Sequence, residues 1–291
     1  MPLFDPTFLQ KLEYLSLVSR RVFRGELLAQ KRTTQLGSGI EFADHREYSS
    51  GDDFRYIDWN LYARHDELLL KRFHEEQDLH VYVLLDCSKS MSIGSPVKFD
   101  LARQVAAALA YVALSDLDRV GVVAFAKGIV ADFALTRGKA RILTLLRFLE
   151  SLQPDGDATN LNDLVNGFLH RTERRGLAII VSDLFDPSGY QAAIDKLRHH
   201  RFEPHVIQIH DRSEAEPTLL GDVELVDVET QELRKLTVTE KNLQQYREVF
   251  ESFLAGVRSY CAKYGISCST ATTDVAFDAL ILGMMRSAGR H

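Results

Sequence analysis

Short apolar runs alternate with longer amphipathic segments from residue 79 onward, and this alternation constrains the fold more than any other feature of the chain. The apolar runs predict strands over residues 80–85, 119–125, 129–135, 177–182, 205–209 and 266–270. Helical spacing predicts helices over residues 99–114, 140–151, 161–171, 190–199, 240–264 and 276–287. Strands separated by helices form a mostly parallel sheet with helices on both faces. We therefore predict a Rossmann-like α/β fold, in which 129–135 pairs with 119–125 as a hairpin.

The remaining segments indicate how the chain divides into domains. Residues 221–239 alternate apolar and polar side chains, which predicts a small β-hairpin inserted in the α/β domain. Residues 6–32 have helical spacing, whereas 36–77 are rich in Gly, Asp, Arg and aromatic residues and carry turn signals. The last part of this segment, residues 68–73, has a sequence typical of a strand. We expect an N-terminal helical and irregular extension over residues 1–78, packed on a domain of residues 79–291.

Oxygen-bearing side chains lie where the predicted strands end. The strand 80–85 is followed by Asp86, Ser88 and Ser90 in the pattern D-x-S-x-S. Thr159 lies in the loop before the helix 161–171, and Asp183 follows the strand 177–182. Because ligands of open α/β sheets bind beyond the carboxyl ends of the strands, we expect these five side chains to converge on one site.

The ligand types at this predicted site are two carboxylates and three hydroxyls, with no thiolate or imidazole. Such hard oxygen donors suit Mg²⁺ or Mn²⁺, with Ca²⁺ left open, and do not suit Zn²⁺. Mg²⁺ takes six ligands and commonly keeps water-filled positions, one of which a carboxylate from a protein partner can occupy. Two alternatives stay open: the D-x-S-x-S residues form a helix N-cap, or Asp186 takes the place of Asp183.

Taken together, Asp86, Ser88, Ser90, Thr159 and Asp183 resemble the complete metal-ion-dependent adhesion site of von Willebrand factor A domains. The predicted order of strands and helices over residues 79–287 is similar to that of these domains as well. The resemblance implies a von Willebrand factor A-like fold that holds one divalent ion and uses it to bind a protein partner through an acidic residue.

A block upstream of this domain narrows the resemblance. Residues 46–59 have the pattern R-E-Y-x-x-G-D-x-x-R-x-I-D-W, which resembles the hallmark of a bacterial family of unknown function. Members place this block just before an A-type domain. The resemblance implies an adaptor or substrate-recognition partner of a MoxR-type AAA+ ATPase, acting in protein assembly or maturation without catalytic activity. Many relatives carry transmembrane helices for which this sequence has no matching apolar stretch, so no membrane role is implied.

The charged residues of the block permit two interpretations. In the first, the block is structural: charged groups pair with one another and with the backbone, and three apolar or aromatic side chains pack on the core. In the second, it is a docking surface for a partner. The paired residues would be Arg46, Glu47, Asp52, Arg55, Asp58 and Arg64, and the packed ones Tyr48, Ile57 and Trp59.

Composition limits the function classes. A net charge of −6 and a pI near 5.9 argue against nucleic acid as a partner. Three cysteines without a CxxC pair suit a reduced setting, and no signal peptide or membrane span is apparent, so we expect a cytoplasmic protein. Two alternatives to a metal-dependent interaction module remain. One is a Mg²⁺-dependent phosphohydrolase, although Ser88 stands where its second acid is needed. The other is a structural subunit with a purely structural metal.

Overall fold

The computed structural model describes residues 3–22, 32–36, 41–76, 79–154, 159–227 and 232–288. These residues fall into two compact units. One contains the described residues up to Ser19 and from His80 onward, and the other contains those from Arg20 to Leu79. The helices are α1 Pro6–Val22, α2 Trp59–His65, α3 Lys98–Ser115, α4 Ile142–Ser151, α5 Leu161–Arg171, α6 Gln191–His199, α7 Arg212–Ala215, α8 Glu240–Lys263 and α9 Phe277–Ala288. The strands are β1 Arg32–Leu36, β2 Glu41–Glu47, β3 Leu69–Glu76, β4 His80–Asp86, β5 Arg119–Phe125, β6 Ile129–Arg137, β7 Leu177–Ser182, β8 Glu203–His210, β9 Gly221–Val226, β10 Leu233–Val238 and β11 Ser267–Thr272.

A six-stranded sheet forms the centre of the first unit, in the order β11-β8-β7-β4-β5-β6. Its first five strands run parallel, and β6 pairs antiparallel with β5. In this register Asp86 lies beside Phe125 of β5, and Leu85 lies beside Val181 of β7. The carboxyl ends of β4, β5 and β7 therefore meet at one edge. The predicted α/β class and the hairpin of its edge strand are confirmed.

Strand β4 lies in the middle of the hydrophobic core. Six of its seven residues are buried, which explains why it has a continuous apolar sequence instead of an alternating one. On one side the Ala-rich helix α3 packs on β4 and β5. The other side carries a cluster that includes Phe125, Phe168 and Val257. A rigid, doubly covered strand thus leads directly into Asp86.

Gly176, just before β7, allows β7 to approach β4 closely. A Cβ atom added there would lie 2.1 Å from the carbonyl oxygen of His80. Any other residue would push the two strand beginnings apart. This close approach helps to set the register in which the residues after β7 reach the end of β4.

The second unit contains a three-stranded antiparallel sheet in the order β1-β3-β2. Only its strand β3 has a counterpart in the sequence-based prediction, which expected a helical and irregular extension. Strand β2 has the sequence EFADHRE, which lacks regular apolar alternation, so its pairing depends on β3 and not on its own pattern.

Several charged residues of the upstream block make specific contacts in this unit. Arg46 Nη2 lies 2.8 Å from Asp52 Oδ1. Asp58 caps α2 by accepting hydrogen bonds from Asn60 N and Leu61 N. Ile57 is 4% exposed, as the structural interpretation requires, but Trp59 is 58% exposed, so the expectation that Trp59 packs on the core is wrong. Its position at the start of α2, beside the capping residue, leaves the indole on the surface.

Strands β9 and β10 form the predicted hairpin. They pair antiparallel from Gly221 with Val238 to Val226 with Leu233. Most of the side chains of both strands are exposed. The hairpin is therefore an addition to the first unit that contributes little to its core.

Candidate metal centre

Asp86 is the last residue of β4 and its side chain is fully buried. Its Oδ1 accepts a hydrogen bond of 2.9 Å from Ser88 N, and its Oδ2 accepts one of 2.6 Å from Ser182 Oγ. Burial, together with the nearby carboxylate of Asp183, raises the pKa of Asp86 to about 7. Two acidic groups are thus held close together in a region where their charges are poorly hydrated.

The two serines of the D-x-S-x-S pattern connect Asp86 to Asp183. Ser88 Oγ lies 2.9 Å from Ser90 Oγ, and Ser90 Oγ donates to Asp183 Oδ2 at 2.8 Å. Ser88 makes no side-chain capping bond to the 3-10 turn Lys89–Ser92, and α3 begins only at Lys98. The alternative interpretation of this pattern as a helix N-cap is therefore wrong.

Asp183 and Asp186, the two candidate carboxylates after β7, have different roles. Asp183 is 1% exposed, and besides Ser90 its Oδ1 accepts from Phe185 N at 3.1 Å. Asp186 instead accepts from Leu161 N through Oδ2 at 2.7 Å and from Ser188 N and Oγ through Oδ1. Because both oxygens of Asp186 are used to hold a helix start and a turn, Asp183 is the carboxylate that faces the serines.

Thr159 is 3% exposed and lies just before α5. Backbone bonds tie its neighbours to the same sheet edge: Asn160 N donates to Ala126 O at 3.2 Å, and Leu161 N donates to Asp186. Ala126 directly follows the β5 residue that pairs with Asp86. Residues 159–161 are therefore anchored between the ends of β5 and β7.

Three residues of this region were not found from the sequence: Ser182, Lys98 and Glu214. Lys98 is 0% exposed, and its Nζ lies 2.8 Å from Asp183 Oδ2 and 2.5 Å from Glu214 Oε1. Burial alone would lower the pKa of Lys98, but the two adjacent carboxylates raise it above its ordinary value. A lysine in the first turn of a helix has no sequence signature that marks it as buried, whereas Ser182 could have been noticed as a polar end to an apolar strand.

The residues present fit a divalent cation. Asp86, Ser88, Ser90 and Asp183 carry side-chain oxygen atoms, and hydrogen bonds of 2.6 to 2.9 Å hold these residues together: Ser88 N and Ser182 Oγ donate to Asp86, and the two serine hydroxyls lead to Asp183. The raised pKa of Asp86 reflects repulsion and burial that a bound cation would offset. Within the described residues no group of three or more His, Cys, Asp or Glu side chains is placed to hold a metal, so the donor set here depends on hydroxyls. Oxygen donors of this kind favour Mg²⁺, Mn²⁺ or Ca²⁺.

Fold and site together define an α/β protein with an oxygen-lined cluster at the carboxyl edge of a mostly parallel sheet. The family model described as "Protein of unknown function DUF58" matches residues 44–258, so the chain belongs to this family. The expectation of a family of unknown function is thereby confirmed. In the part of the chain that the structure describes, no helix combines the length and apolarity needed to cross a bilayer.

Several relatives are similar to this chain. An uncharacterized protein of Mycobacterium bovis and one of Mycobacterium tuberculosis are each 26% identical over 238 residues, covering 80% of this chain and 75% of theirs. Among solved structures, the conserved hypothetical protein BatB from Bacteroides thetaiotaomicron is 17% identical with a TM-score of 0.46, covering 73% of this chain and 98% of that one. Proximal thread matrix protein 1 from the mussel byssus, with a zinc-occupied MIDAS motif, is 14% identical with a TM-score of 0.42, covering 73% and 48%.

Proposed function

We propose that this protein is a metal-ion-dependent protein–protein interaction module, with Asp86, Ser88, Ser90, Thr159 and Asp183 as the residues that hold the ion. The observation that carries the proposal is the hydrogen-bonded link from Asp86 through Ser88 and Ser90 to Asp183. This link brings Asp86 and Asp183, which are 97 positions apart in sequence, into one oxygen-lined cluster. The cluster lies at the sheet edge where α/β folds bind ligands. Mg²⁺ is the proposed resident ion, because it accepts hydroxyl and carboxylate oxygens and commonly keeps water-filled positions.

The proposed partner offers an acidic residue to the ion. Of the five ligand residues, Ser90 is partly exposed, whereas the other four are 3% exposed or less. An approaching carboxylate would therefore meet the ion on the side of Ser90. When bound, the ion would supply the positive charge that attracts a partner carboxylate, and the five ligand residues would hold the ion in place. The proposed partner is a MoxR-type AAA+ ATPase, and this part of the proposal rests on the resemblance of the block at residues 46–59.

Metal binding is tested first with the metal alone. Isothermal titration of the full chain with Mn²⁺ and with Mg²⁺ should show one site, and Asp86→Ala or Asp183→Ala should lose it. Asp132→Asn is the matched control, because it removes one negative charge from an exposed position of strand β6. Equal metal affinity in wild type and Asp86→Ala would overturn the proposed site.

Partner binding is tested separately. Purified MoxR-type ATPase should be retained by the immobilised chain in Mg²⁺ and released in EDTA, and Asp86→Ala should fail to retain it in either condition. Retention that is equal in Mg²⁺ and EDTA would overturn the metal-dependent interaction even if the metal binds.

One observation favours a second candidate function, in which the metal is purely structural. Asp86 and Ser88 are fully buried, and Asp183 is 1% exposed, so an ion held by them would also join the loops after β4 and β7. This function predicts that EDTA lowers the melting temperature while the ATPase stays bound. The same retention experiment therefore separates the two.

An enzymatic role is less well supported by the site. A phosphohydrolase that used Asp86 as nucleophile would need an acid two residues later. That position is Ser88, which is fully buried and hydrogen-bonded to Ser90. We propose a binding role without catalysis, and turnover of generic phosphate esters that disappears in Asp86→Asn would contradict it.

A further inference from the structure

Lys98 occupies a position that is unfavourable for a lysine on its own. It is the first residue of α3, where the helix dipole is positive, and its side chain is 0% exposed. Burying an ammonium group costs free energy unless it is paired. The pairing comes from Asp183 Oδ2 at 2.8 Å and Glu214 Oε1 at 2.5 Å, and the ring of Phe185 lies 5.2 Å from Nζ.

Lys98 shares an oxygen atom with the candidate metal site. Asp183 Oδ2 accepts both from Lys98 Nζ and from Ser90 Oγ, each at 2.8 Å. A divalent ion held by Ser90 and Asp183 would therefore lie near a permanent positive charge. Repulsion between two cations that share one carboxylate weakens the binding of the second.

Glu214 is the second carboxylate that contacts Lys98, and it is itself fixed in place. Its Oε2 accepts from Asp211 N at 2.8 Å as part of the capping box of α7, while Oε1 contacts Lys98. The capping box keeps the Glu214 carboxylate just beyond the end of β8. Glu214 is not one of the five proposed ligand residues. Its negative charge partly offsets that of Lys98.

We propose that Lys98 and Glu214 set the affinity of the metal site for divalent ions in opposite directions, although neither residue holds the ion. This inference rests on the proposed metal site. Lys98 weakens binding by repelling the ion, and Glu214 strengthens it by neutralising Lys98. With Asp86, Asp183 and Glu214 ionised and Lys98 protonated, the formal charges leave two negative charges for a divalent ion to neutralise. Removing the lysine charge leaves three, and removing the glutamate charge leaves one.

The test is Mn²⁺ titration of four full-length proteins by calorimetry: wild type, Lys98→Met, Glu214→Gln and the double variant. We expect Lys98→Met to bind at least about tenfold more tightly and Glu214→Gln at least about tenfold more weakly, because each changes a unit charge close to the ion in a poorly hydrated region. The double variant leaves the same two formal negative charges as wild type, so its affinity should lie between those of the two single variants. Lys196→Met, at a half-buried lysine of α6 whose Nζ contacts Asn166 Oδ1, is the matched control and should leave the affinity unchanged.

Opposite signs distinguish an electrostatic role from a structural one, because a damaged site loses affinity whichever residue is replaced. Weaker binding in both single variants, or no change in either, would overturn the inference while the metal site stands. No Mn²⁺ binding by wild type would overturn the proposed function and this inference with it. Circular dichroism in EDTA reports whether each variant folds. If Lys98→Met does not fold, Glu214→Gln is sufficient as a test: a Glu214→Gln affinity for Mn²⁺ equal to or above that of wild type overturns the inference.

Discussion

Ser182 Oγ donates a hydrogen bond of 2.6 Å to Asp86 Oδ2 and accepts one of 2.8 Å from Leu184 N. The hydroxyl thus links the ends of β4 and β7 and also holds Leu184, whose φ of 63° lies in the left-handed region. A leucine adopts this conformation only when its surroundings enforce it. The buried hydroxyl of Ser182 therefore helps to hold the turn that leads from β7 through Asp183, together with the bond from Phe185 N to Asp183.

Replacing this hydroxyl should cost stability. Ser182→Ala leaves Asp86 Oδ2 and Leu184 N without their partner, so we expect a loss of about 2 to 4 kcal/mol in the free energy of unfolding. Urea denaturation in EDTA measures it without a metal contribution. The control is Ser92→Ala, whose exposed hydroxyl donates to Lys89 O and should cost less than about 1 kcal/mol. Equal losses in the two variants would show that the buried link has no special role.

Asp86 should reduce stability in the absence of metal. Burial and Asp183 raise its pKa to about 7, so at pH 8 the fold must accommodate a carboxylate charge that it disfavours. Asp86→Asn keeps the shape and removes the charge. We expect it to raise the free energy of unfolding at pH 8 in EDTA by about 1 to 3 kcal/mol.

The same variant should lose any stabilisation by Mg²⁺, since binding stabilises only a folded state that can bind. Melting curves of wild type and Asp86→Asn, each in EDTA and in Mg²⁺, give the four values required. An Asp86→Asn protein that is less stable than wild type in EDTA yet still stabilised by Mg²⁺ would contradict both the electrostatic account and the assignment of Asp86 as a ligand.

The strand ends of the α/β unit were predictable because buried parallel strands have unbroken apolar sequences. The apolar runs before Asp86 and Ser182 mark where the polar residues begin, and the parallel order of the strands places these residues at one edge. Lys98 and Glu214 were not predictable in the same way. Their contact joins residues 116 positions apart in sequence, and neither lies in a pattern that distinguishes a buried ion pair from surface charge.

The sheet of the second unit shows a different limit. Strand β3 was predicted from its apolar beginning, but β2 is EFADHRE and alternates poorly. Its register with β3 shifts between Phe42 and Asp44. A bulge breaks the period of two on which strand prediction depends, so tertiary pairing and not local sequence determines this element.

His205 should make the stability depend on pH. Burial lowers its pKa from 6.5 to about 4, and its Nε2 has no hydrogen-bond partner among the described residues. Below pH 6.5 the unfolded chain takes up a proton at this site that the folded protein does not accept until about pH 4. The contribution of His205 to the free energy of unfolding is therefore fully present above pH 6.5. As the pH falls toward 4, the free energy of unfolding decreases by roughly 2 to 3 kcal/mol because of this residue.

Urea denaturation of wild type and His205→Leu at several pH values between 4 and 7 measures this dependence. The variant should show a shallower fall in unfolding free energy with decreasing pH. The unfolding free energy of the variant should still fall somewhat with decreasing pH, because burial also lowers the pKa of His210. Parallel curves for the two proteins would show that His205 takes up its proton equally in the folded and unfolded states.

Trp59 offers a test of the two interpretations of the upstream block. It is the single tryptophan of the chain, it is 58% exposed, and its ring lies edge-on to Tyr62 with centroids 6.2 Å apart. An exposed indole contributes little to folding, so Trp59→Ala should change the free energy of unfolding by less than about 1 kcal/mol. Ile57→Ala, at a residue 4% exposed, should cost about 2 to 4 kcal/mol and is the matched comparison.

If the block is a docking surface, Trp59 is the side chain through which it would act, because exposed aromatic residues are enriched among those that dominate binding energy. Acrylamide should then quench Trp59 fluorescence in the free chain and much less when the purified ATPase, with its own tryptophans replaced by phenylalanine, is bound. Trp59→Ala should weaken that binding while the metal affinity of the Asp86 site stays unchanged. The block would be structural if the ATPase leaves the quenching of Trp59 unaltered and Trp59→Ala binds the ATPase as wild type does. Its role would then be the contact of Arg46 with Asp52 and the capping of α2 by Asp58.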